Sequence, residues 1–468
     1  MNDYDLIVIG AGPGGYVAAI RGAQLGLKTA IIDKQWLGGV CLNVGCIPSK
    51  SLLKNADVAH TLLKRGRELG FSFDNLNLDY GVAVKRSRKV SKRLVKGVGF
   101  LMKNNGINVH EGVAKLLDKN TVELRLADGT VSSLSAPNIL IATGASAMLP
   151  SVWVADGQKV LTYLEAIMQE KLPKSVVIIG SGAIGVEFAT IWNSYGVDVT
   201  IVEMLPRIVP MEDEEVSAEL TKAFKKRKIK LMMGHKVESI EDVEGAGVKV
   251  TVSVDDEEKI IEAEQALVAI GFRPNIKNIG LEEVGVEINS QGFIQVNEKM
   301  ETNIPSIWAI GDVTGKLMLA HVASAMGIVA VEQMVGKETQ ALNYEMMPRA
   351  TYCQPQVASF GATEAQARQR AEVKGEIKVV KFPFQANGKA LGLGEYVGWV
   401  KLILDESEQI LGAHLIGPEV TELLPELTLA QMINLSTAKI AQNVHAHPTL
   451  SETLMEVAHV AEGMGIHI

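Results

Sequence analysis

Cysteine is nearly absent from this chain of 468 residues, which has only Cys41, Cys46 and Cys353. So few cannot build the disulfide framework of a small secreted domain, and in a reducing compartment a close pair is more often catalytic than structural. Basic charge is also short. Lys and Arg number 46 against 54 Asp and Glu, a net charge of −8, which argues against nucleic acid because phosphate binding needs a basic face. No apolar run approaches the ~20 residues that span a bilayer, so no membrane insertion is expected. Met1-Asn2-Asp3-Tyr4-Asp5 lacks the basic and apolar regions of a signal peptide, so no presequence is expected either. The expectation is a protein of a bacterial cytoplasm, or the mature form of an organelle-matrix protein. The length suggests about three domains of roughly 150 residues each.

What is present is an internal repeat at an offset of 170 residues. Leu6–Asp33 and Val176–Glu203 each read as an apolar run, a GxGxxG, an apolar-periodic helix, a second apolar run and an acid. Gly10, Gly12, Gly15 and Asp33 map onto Gly180, Gly182, Gly185 and Glu203. The first glycine permits the tight turn, the second lets a pyrophosphate approach the backbone, and the third lets helix pack on strand. The helix N-terminus faces the phosphates, and the acid accepts from ribose hydroxyls while repelling a 2′-phosphate. One GxGxxG is weak; two in matching context point to two dinucleotides and to electron traffic between them.

Asn138–Ala145 (NILIATGA) reads as a buried strand ending in Thr143-Gly144, and Thr302–Thr314 as another ending in Gly311-Asp312 before a helical stretch, Leu317–Val335. Asp312 lies where ligands bind at the C-terminal ends of parallel strands, or else N-caps the following helix. The expected fold is α/β: two Rossmann-like dinucleotide-binding domains plus a C-terminal α+β dimerisation domain. The expected boundaries are 1–148 with 271–346 for the first, 149–270 for an inserted second and 347–468 for the third. In the third, Trp399–Leu404 and Ile410–Ile416 read as strands and Glu419–Leu435 as a helix. Asp255–Lys259 reads as a hairpin tip, and the basic run Lys85–Lys96 as a solvated helix face.

Leu37–Lys50 reads LGGVCLNVGCIPSK. Pro48 suits the first turn of a helix, which puts Cys46 near a helix N-terminus, where the dipole favours a thiolate. Lys50 follows one turn later on the same face. Two buried structural cysteines are the alternative, but a Gly-rich loop opening a helix beside a nucleotide site suits a redox-active disulfide better. Near the other end, His445-Ala446-His447-Pro448-Thr449-Leu450-Ser451-Glu452 offers a base, which dithiol oxidation needs because only a thiolate attacks a disulfide. Thr449-x-x-Glu452 is also a capping-box pattern, and spacing leaves both roles open for Glu452.

The segments LGGVCLNVGCIPSK, GAGPGGYVAAI, AIGDV and HAHPTLSE resemble those of the flavoprotein disulfide reductases, and the resemblance covers essentially the whole chain. It is greatest to the dihydrolipoamide-oxidising members. It implies FAD at Gly10, Gly12, Gly14, Gly15, Asp33, Lys50, Thr143, Gly144, Asp312 and Ala320. It implies NAD at Gly180, Gly182, Ile184, Gly185, Glu203 and Gly271. No metal is implied. Cys41 would be the interchange thiol, Cys46 the charge-transfer thiol under the flavin, and Lys50 would pair with Glu187. His447, oriented by Glu452, would be the base acting on the partner subunit's Cys41 in a homodimer; His445 and His321 are assigned no chemistry. The implied mechanism is ping-pong: dihydrolipoyl thiols reduce the disulfide, Cys46 passes electrons to the flavin, and the flavin reduces NAD⁺. Implied partners are the lipoyl domains and acyltransferase core of 2-oxo acid dehydrogenase complexes, or the lipoyl protein of glycine cleavage, with the acidic chain docking on a basic module.

The alternatives are a glutathione-type reductase, disfavoured by Met204-Leu205 after Glu203 with Arg207 as the one nearby cation, and a non-catalytic sensor, disfavoured because every catalytic residue is present. A mercuric reductase would end in a cysteine pair, which is missing. Asp33 stands where the family usually has Glu, Phe272 where Arg is common, and Cys353-Gln354 where Thr-His is usual. Cys353 reads as a small packed side chain.

Overall fold

Each half of the repeat forms the centre of a parallel sheet. In the computed structural model, which describes residues 2–243, 245, 247–370 and 376–468, Leu6 pairs with Thr29 and Val176 with Val199. The 170-residue offset therefore persists into the register of the strand pairs. Leu6–Ile9 is buried along its whole length, as a parallel strand covered on both faces must be.

The first sheet has seven strands, in the order Ile307–Ala309, Asn138–Ile141, Leu6–Ile9, Thr29–Asp33, Asn108–Leu116, Thr121–Leu126 and Val131–Ser135. The first five are parallel and the last two continue as an antiparallel meander. The second sheet is wholly parallel, in the order Lys230–Met233, Asp198–Glu203, Ser175–Ile179, Gln265–Val268 and Val160–Leu161. A three-stranded antiparallel sheet hangs from it, and its Asp255-Asp256 turn has both residues at positive φ. This is the expected hairpin tip. The chain leaves the first sheet through Ala145–Ala147 and returns through Phe272–Pro274, and these two segments pair antiparallel.

The C-terminal sheet is antiparallel, in the order Arg349–Thr351, Gln356–Gly361, Ile410–Gly417, Trp399–Leu404 and Lys378–Pro383. Helices Val420–Met432 and Glu452–Ala461 close its core. Several expected elements come out shorter, among them the helix expected over Glu419–Leu435, which is Val420–Met432. The helical stretch after Asp312 is Ala320–Met334. The strand expected over Thr302–Thr314 reduces to Ile307–Ala309, because Thr302 and Ile304 are taken up in local turns and Gly311–Thr314 winds into a 3₁₀ turn. Lys85, Arg86, Lys89, Lys92, Arg93 and Lys96 are exposed along helix Tyr80–Asn104. Among the described residues no helix is long and apolar enough to cross a membrane.

Candidate active site

Cys41 lies on the short helix Gly39–Val44, and Cys46 is the first residue of helix Cys46–His60. Gly45 makes the corner between them, where an added Cβ would come within 3.0 Å of Val40 O and 3.2 Å of Cys41 Cα. A side chain there would push the cysteines apart. With glycine, the Cα atoms stand 4.7 Å apart and the sulfurs are joined in a disulfide. One turn on, Lys50 Nζ donates to both oxygens of Glu187, at 3.0 and 2.9 Å. It also lies 4.7 Å from the centre of the Tyr352 ring. Glu187 is buried on helix Ala183–Ser194 of the second unit and accepts the Tyr352 N–H at 2.9 Å. Three distant stretches of chain thus converge behind the disulfide.

His447 stands apart from that cluster, with 78% of its side chain exposed. Its Nδ1 donates to Glu452 Oε1 at 2.9 Å, which leaves Nε2 free to take a proton. Glu452 Oε2 accepts the Thr449 N–H at 2.8 Å. One carboxylate therefore holds the histidine and the turn that precedes the helix, through different oxygens; the helix N-cap itself is Ser451. The Thr449 hydroxyl donates to Ala446 O instead of completing a capping box. Burial pushes the Glu452 carboxyl up, but the Thr449 N–H and His447 together pull it below its ordinary value. His445 has both ring nitrogens engaged, Nδ1 with Asn443 O at 2.8 Å and Nε2 with Glu426 at 3.0 Å. His321 donates to Pro348 O.

The two glycine loops are near copies. Gly10 and Gly180 have φ of +104° and +102°, a region open to glycine alone at no cost. An added Cβ on Gly15 would meet Gly10 O at 1.9 Å, and one on Gly185 would meet Gly180 O at 2.0 Å. Gly12 and Gly182 have no protein atom within 4 Å of an added Cβ, so their side of the loop is open, as a phosphate cradle requires. Asp33 accepts from the N–H groups of Ala11, Gln35 and Trp36 at 2.7 to 2.9 Å. Glu203 does the same toward Ser181 N, Ser181 Oγ and Leu205 N, each at 2.9 Å. The shorter acid thus braces its loop as well as the longer one.

Helix Pro13–Gln24 lies so close to helix Ala320–Met334 that a Cβ on Gly14 would meet Ala323 O at 3.0 Å; Ala320 opens the second of these. Asp312 does not cap that helix, whose N-cap is Leu319. It sits at the end of strand Ile307–Ala309 with no side-chain partner among the described residues, and burial pushes it up to about 6. An unpartnered carboxyl beside an open glycine loop fits a cofactor hydroxyl. Thr143 and Gly144 are locked by Asn275, which accepts Thr143 Oγ1 at 2.8 Å through its backbone carbonyl and donates to Thr143 O at 2.9 Å. Sequence reasoning missed Asn275, which follows Pro274 with no motif to mark it. Ile184 is half-buried in the first turn of helix Ala183–Ser194, and Gly271 (φ +127°) accepts from Met148 N. Arg207 pairs with Glu214 and donates to Pro210 O. Cys353 is buried; its thiol donates to Pro355 O and is pushed well up by burial. Among the described residues no group of three His, Cys, Asp or Glu is placed to hold a metal.

Residues 4–327 match the family model described as pyridine nucleotide-disulphide oxidoreductase, and 347–458 match the dimerisation domain of that family. The dihydrolipoyl dehydrogenase of Mycobacterium leprae is 51% identical over 465 residues, covering 98% of both chains. Those of Corynebacterium glutamicum and Bacillus subtilis are 47% and 40% identical, covering 98% and 100% of this chain and 98% and 99% of their own. Among solved structures, LpdA from Mycobacterium tuberculosis superposes with a TM-score of 0.90 at 26% identity, covering 98% of this chain and 99% of its own. The glycine loops, the disulfide at a helix start and these matches lead to one conclusion: the chain belongs to the pyridine nucleotide-disulphide oxidoreductase family.

Proposed function

We propose that this chain is the NAD-dependent dehydrogenase that oxidises protein-bound dihydrolipoamide to lipoamide. The observation that carries this reading is the Cys41–Cys46 disulfide at a helix N-terminus, with Lys50 and Glu187 behind it. A groove of about 580 Å³ lined by Tyr16, Leu42, Ile47, Leu94, Val98 and Leu101 flanks the cysteine segment and suits an alkyl arm. FAD would be held by Gly10, Gly12, Gly14, Gly15, Asp33, Lys50, Thr143, Gly144, Asp312 and Ala320, and NAD by Gly180, Gly182, Ile184, Gly185, Glu203 and Gly271. The chemistry these groups supply when bound is transfer of an electron pair from the reduced cysteines to NAD⁺.

The partner subunit's His447 takes a proton from the first substrate thiol, and Glu452 stabilises the resulting imidazolium. The thiolate attacks Cys41 Sγ, the Cys41–Cys46 bond breaks, and Cys46 leaves as a thiolate stabilised by the helix N-terminus and Lys50. The second substrate thiol then attacks the mixed disulfide. Cyclic lipoyl disulfide is released, and the electron pair stays on the enzyme as two reduced cysteines. The protein works as a homodimer in a bacterial cytoplasm, and its partners are lipoyl domains and the acyltransferase core of 2-oxo acid dehydrogenase complexes or the glycine cleavage lipoyl protein. Docking of this acidic chain on a basic module of that core should weaken steeply with salt.

The test is a paired assay: dihydrolipoamide with NAD⁺ against oxidised glutathione with NADPH. NADH formation in the first arm is expected, abolished by Cys41→Ser and reduced at least about 10²-fold by His447→Gln. Activity confined to the second arm would sink the reading.

A further inference from the structure

In the C-terminal sheet, Lys381, Lys401, His414, Ser359 and Arg349 stand in register across all five strands. Directly paired residues share one face, so the cations Lys381, Lys401 and Arg349 lie on one face with Ser359 and with His414, which burial pushes below its ordinary value. They face Glu212-Asp213-Glu214-Glu215, where helix Glu214–Lys226 begins. Lys401 is only 1% exposed, and its Nζ pairs with Asp213 at 3.0 Å and with Glu215 and Glu364 at 2.7 Å. Lys381 pairs with Glu215, and Arg349 with Glu212 at 3.8 Å. Buried ion pairs are a poor source of net stability, since apolar replacements often do as well; their best-attested use is to specify one arrangement over others.

The arrangement specified here leads to the second nucleotide loop. Asp213 caps the helix by accepting the Glu215 N–H at 3.1 Å, and its other oxygen accepts the Glu364 N–H at 3.0 Å. The adjoining Glu212 N–H donates to Val209 O at 2.9 Å. Val209 has φ +42°, a conformation that a β-branched residue keeps only where its surroundings over-determine it. In that conformation its N–H donates to Ser181 O at 3.1 Å, and Ser181 holds Glu203 through N and Oγ at 2.9 Å. Covalent and hydrogen-bonded links thus run unbroken from Lys401 to the acid expected to receive a ribose.

We propose that Lys401 is a positioning residue for the NAD half-site, holding Val209 in its left-handed conformation through Asp213 so that Ser181 and Glu203 stay set for the adenosine ribose. This rests on the NAD reading given above. It assigns the C-terminal sheet a part in nucleotide binding as well as in assembly.

The test uses the FAD-loaded protein. Lys401→Met takes from Asp213 its only paired cation among the described residues, while Glu215 keeps Lys381 and Glu364 keeps Arg368; because it can still unfold, it is combined with Glu364→Gln, and Asp213→Asn is made separately. Calorimetry with ADP-ribose reads the half-site directly, and anaerobic flavin bleaching by dihydrolipoamide without NAD⁺ reads the dithiol half-site. The expected result is about tenfold weaker ADP-ribose binding, equivalent to about 1.4 kcal/mol, with bleaching unchanged. Lys401→Arg should restore most of the affinity. Adding Val209→Gly should shrink the loss, because glycine adopts that conformation unaided. Unaltered ADP-ribose affinity in both variants, or equal damage to bleaching, would overturn the proposal. Wild-type protein that binds ADP-ribose but is not bleached by dihydrolipoamide would instead refute the substrate reading alone.

Discussion

In the first nucleotide unit the chain turns back to its glycine loop through Gly38, at φ +87°, whose N–H bonds to Ala11 O at 2.8 Å. In the second, Val209 at φ +42° makes the corresponding bond to Ser181 O at 3.1 Å. Glycine needs no support there and valine does. The second loop is tied through Asp213 to a buried lysine of another sheet, while the first leans on helix Ala320–Met334 through Gly14. A repeated motif thus yields the same cradle twice, but each copy depends on different distant parts of the chain.

The largest effects should come from the shared element. Gly15→Ala and Gly185→Ala each drive a Cβ into a backbone carbonyl, at a cost on the order of 4 kcal/mol or more. Urea unfolding and flavin content should show the first as unstable and colourless, and ADP-ribose calorimetry should show the second as unable to bind. Gly12→Ala meets no protein atom within 4 Å; it should fold within about 1 kcal/mol of the parent and lose flavin affinity. A stable, yellow Gly15→Ala protein would contradict this account of the loop.

A middle-sized effect should separate the units by pH. Asp312 belongs to the first alone, and burial raises its folded-state value to about 6 against an ordinary ~3.9 when unfolded. For such a group, stability is fully present below about pH 4, is lost as pH rises toward 6, and stays level above. Unfolding of the flavin-stripped chain should show this loss, and Asp312→Asn should remove it; identical pH profiles would contradict it. The smallest effect is expected at Arg207. Its exposed pair with Glu214 should contribute within about 1 kcal/mol, and Arg207→Met should leave the preference for NAD⁺ over NADP⁺ unchanged in steady-state kinetics. A large change would mean that Arg207 leaves Glu214 to meet the nucleotide.

Much of the site was legible because its signals are local. A glycine that must turn, an acid at a strand end and a cysteine at a helix start are each dictated by neighbours within a few residues. Asp312 was legible as a position, but its two roles separated only when Leu319 proved to be the N-cap of the following helix. For Glu452 the spacing leaves cap and histidine partner open; it pairs with His447, while its other oxygen accepts the Thr449 N–H in the turn before the helix, whose N-cap is Ser451. Asn275 and Lys401 carry no local mark. Lys401 sits in Trp399–Leu404 as the one charged residue of an otherwise apolar strand, and nothing nearby reveals that it is buried.

The sequence by itself determined the two dinucleotide loops, the redox pair and the histidine–carboxylate spacing, because steric limits on φ and helix-end chemistry act over one or two turns. Only the tertiary structure decided that Lys50 meets Glu187, that the strands bring Lys381, Lys401 and Arg349 to one face, and that these cations grip the helix beside the second loop. The Lys50–Glu187 and Lys401–Asp213 pairs join residues more than a hundred positions apart, and all of these contacts depend on how sheets and helices pack, which no local pattern encodes.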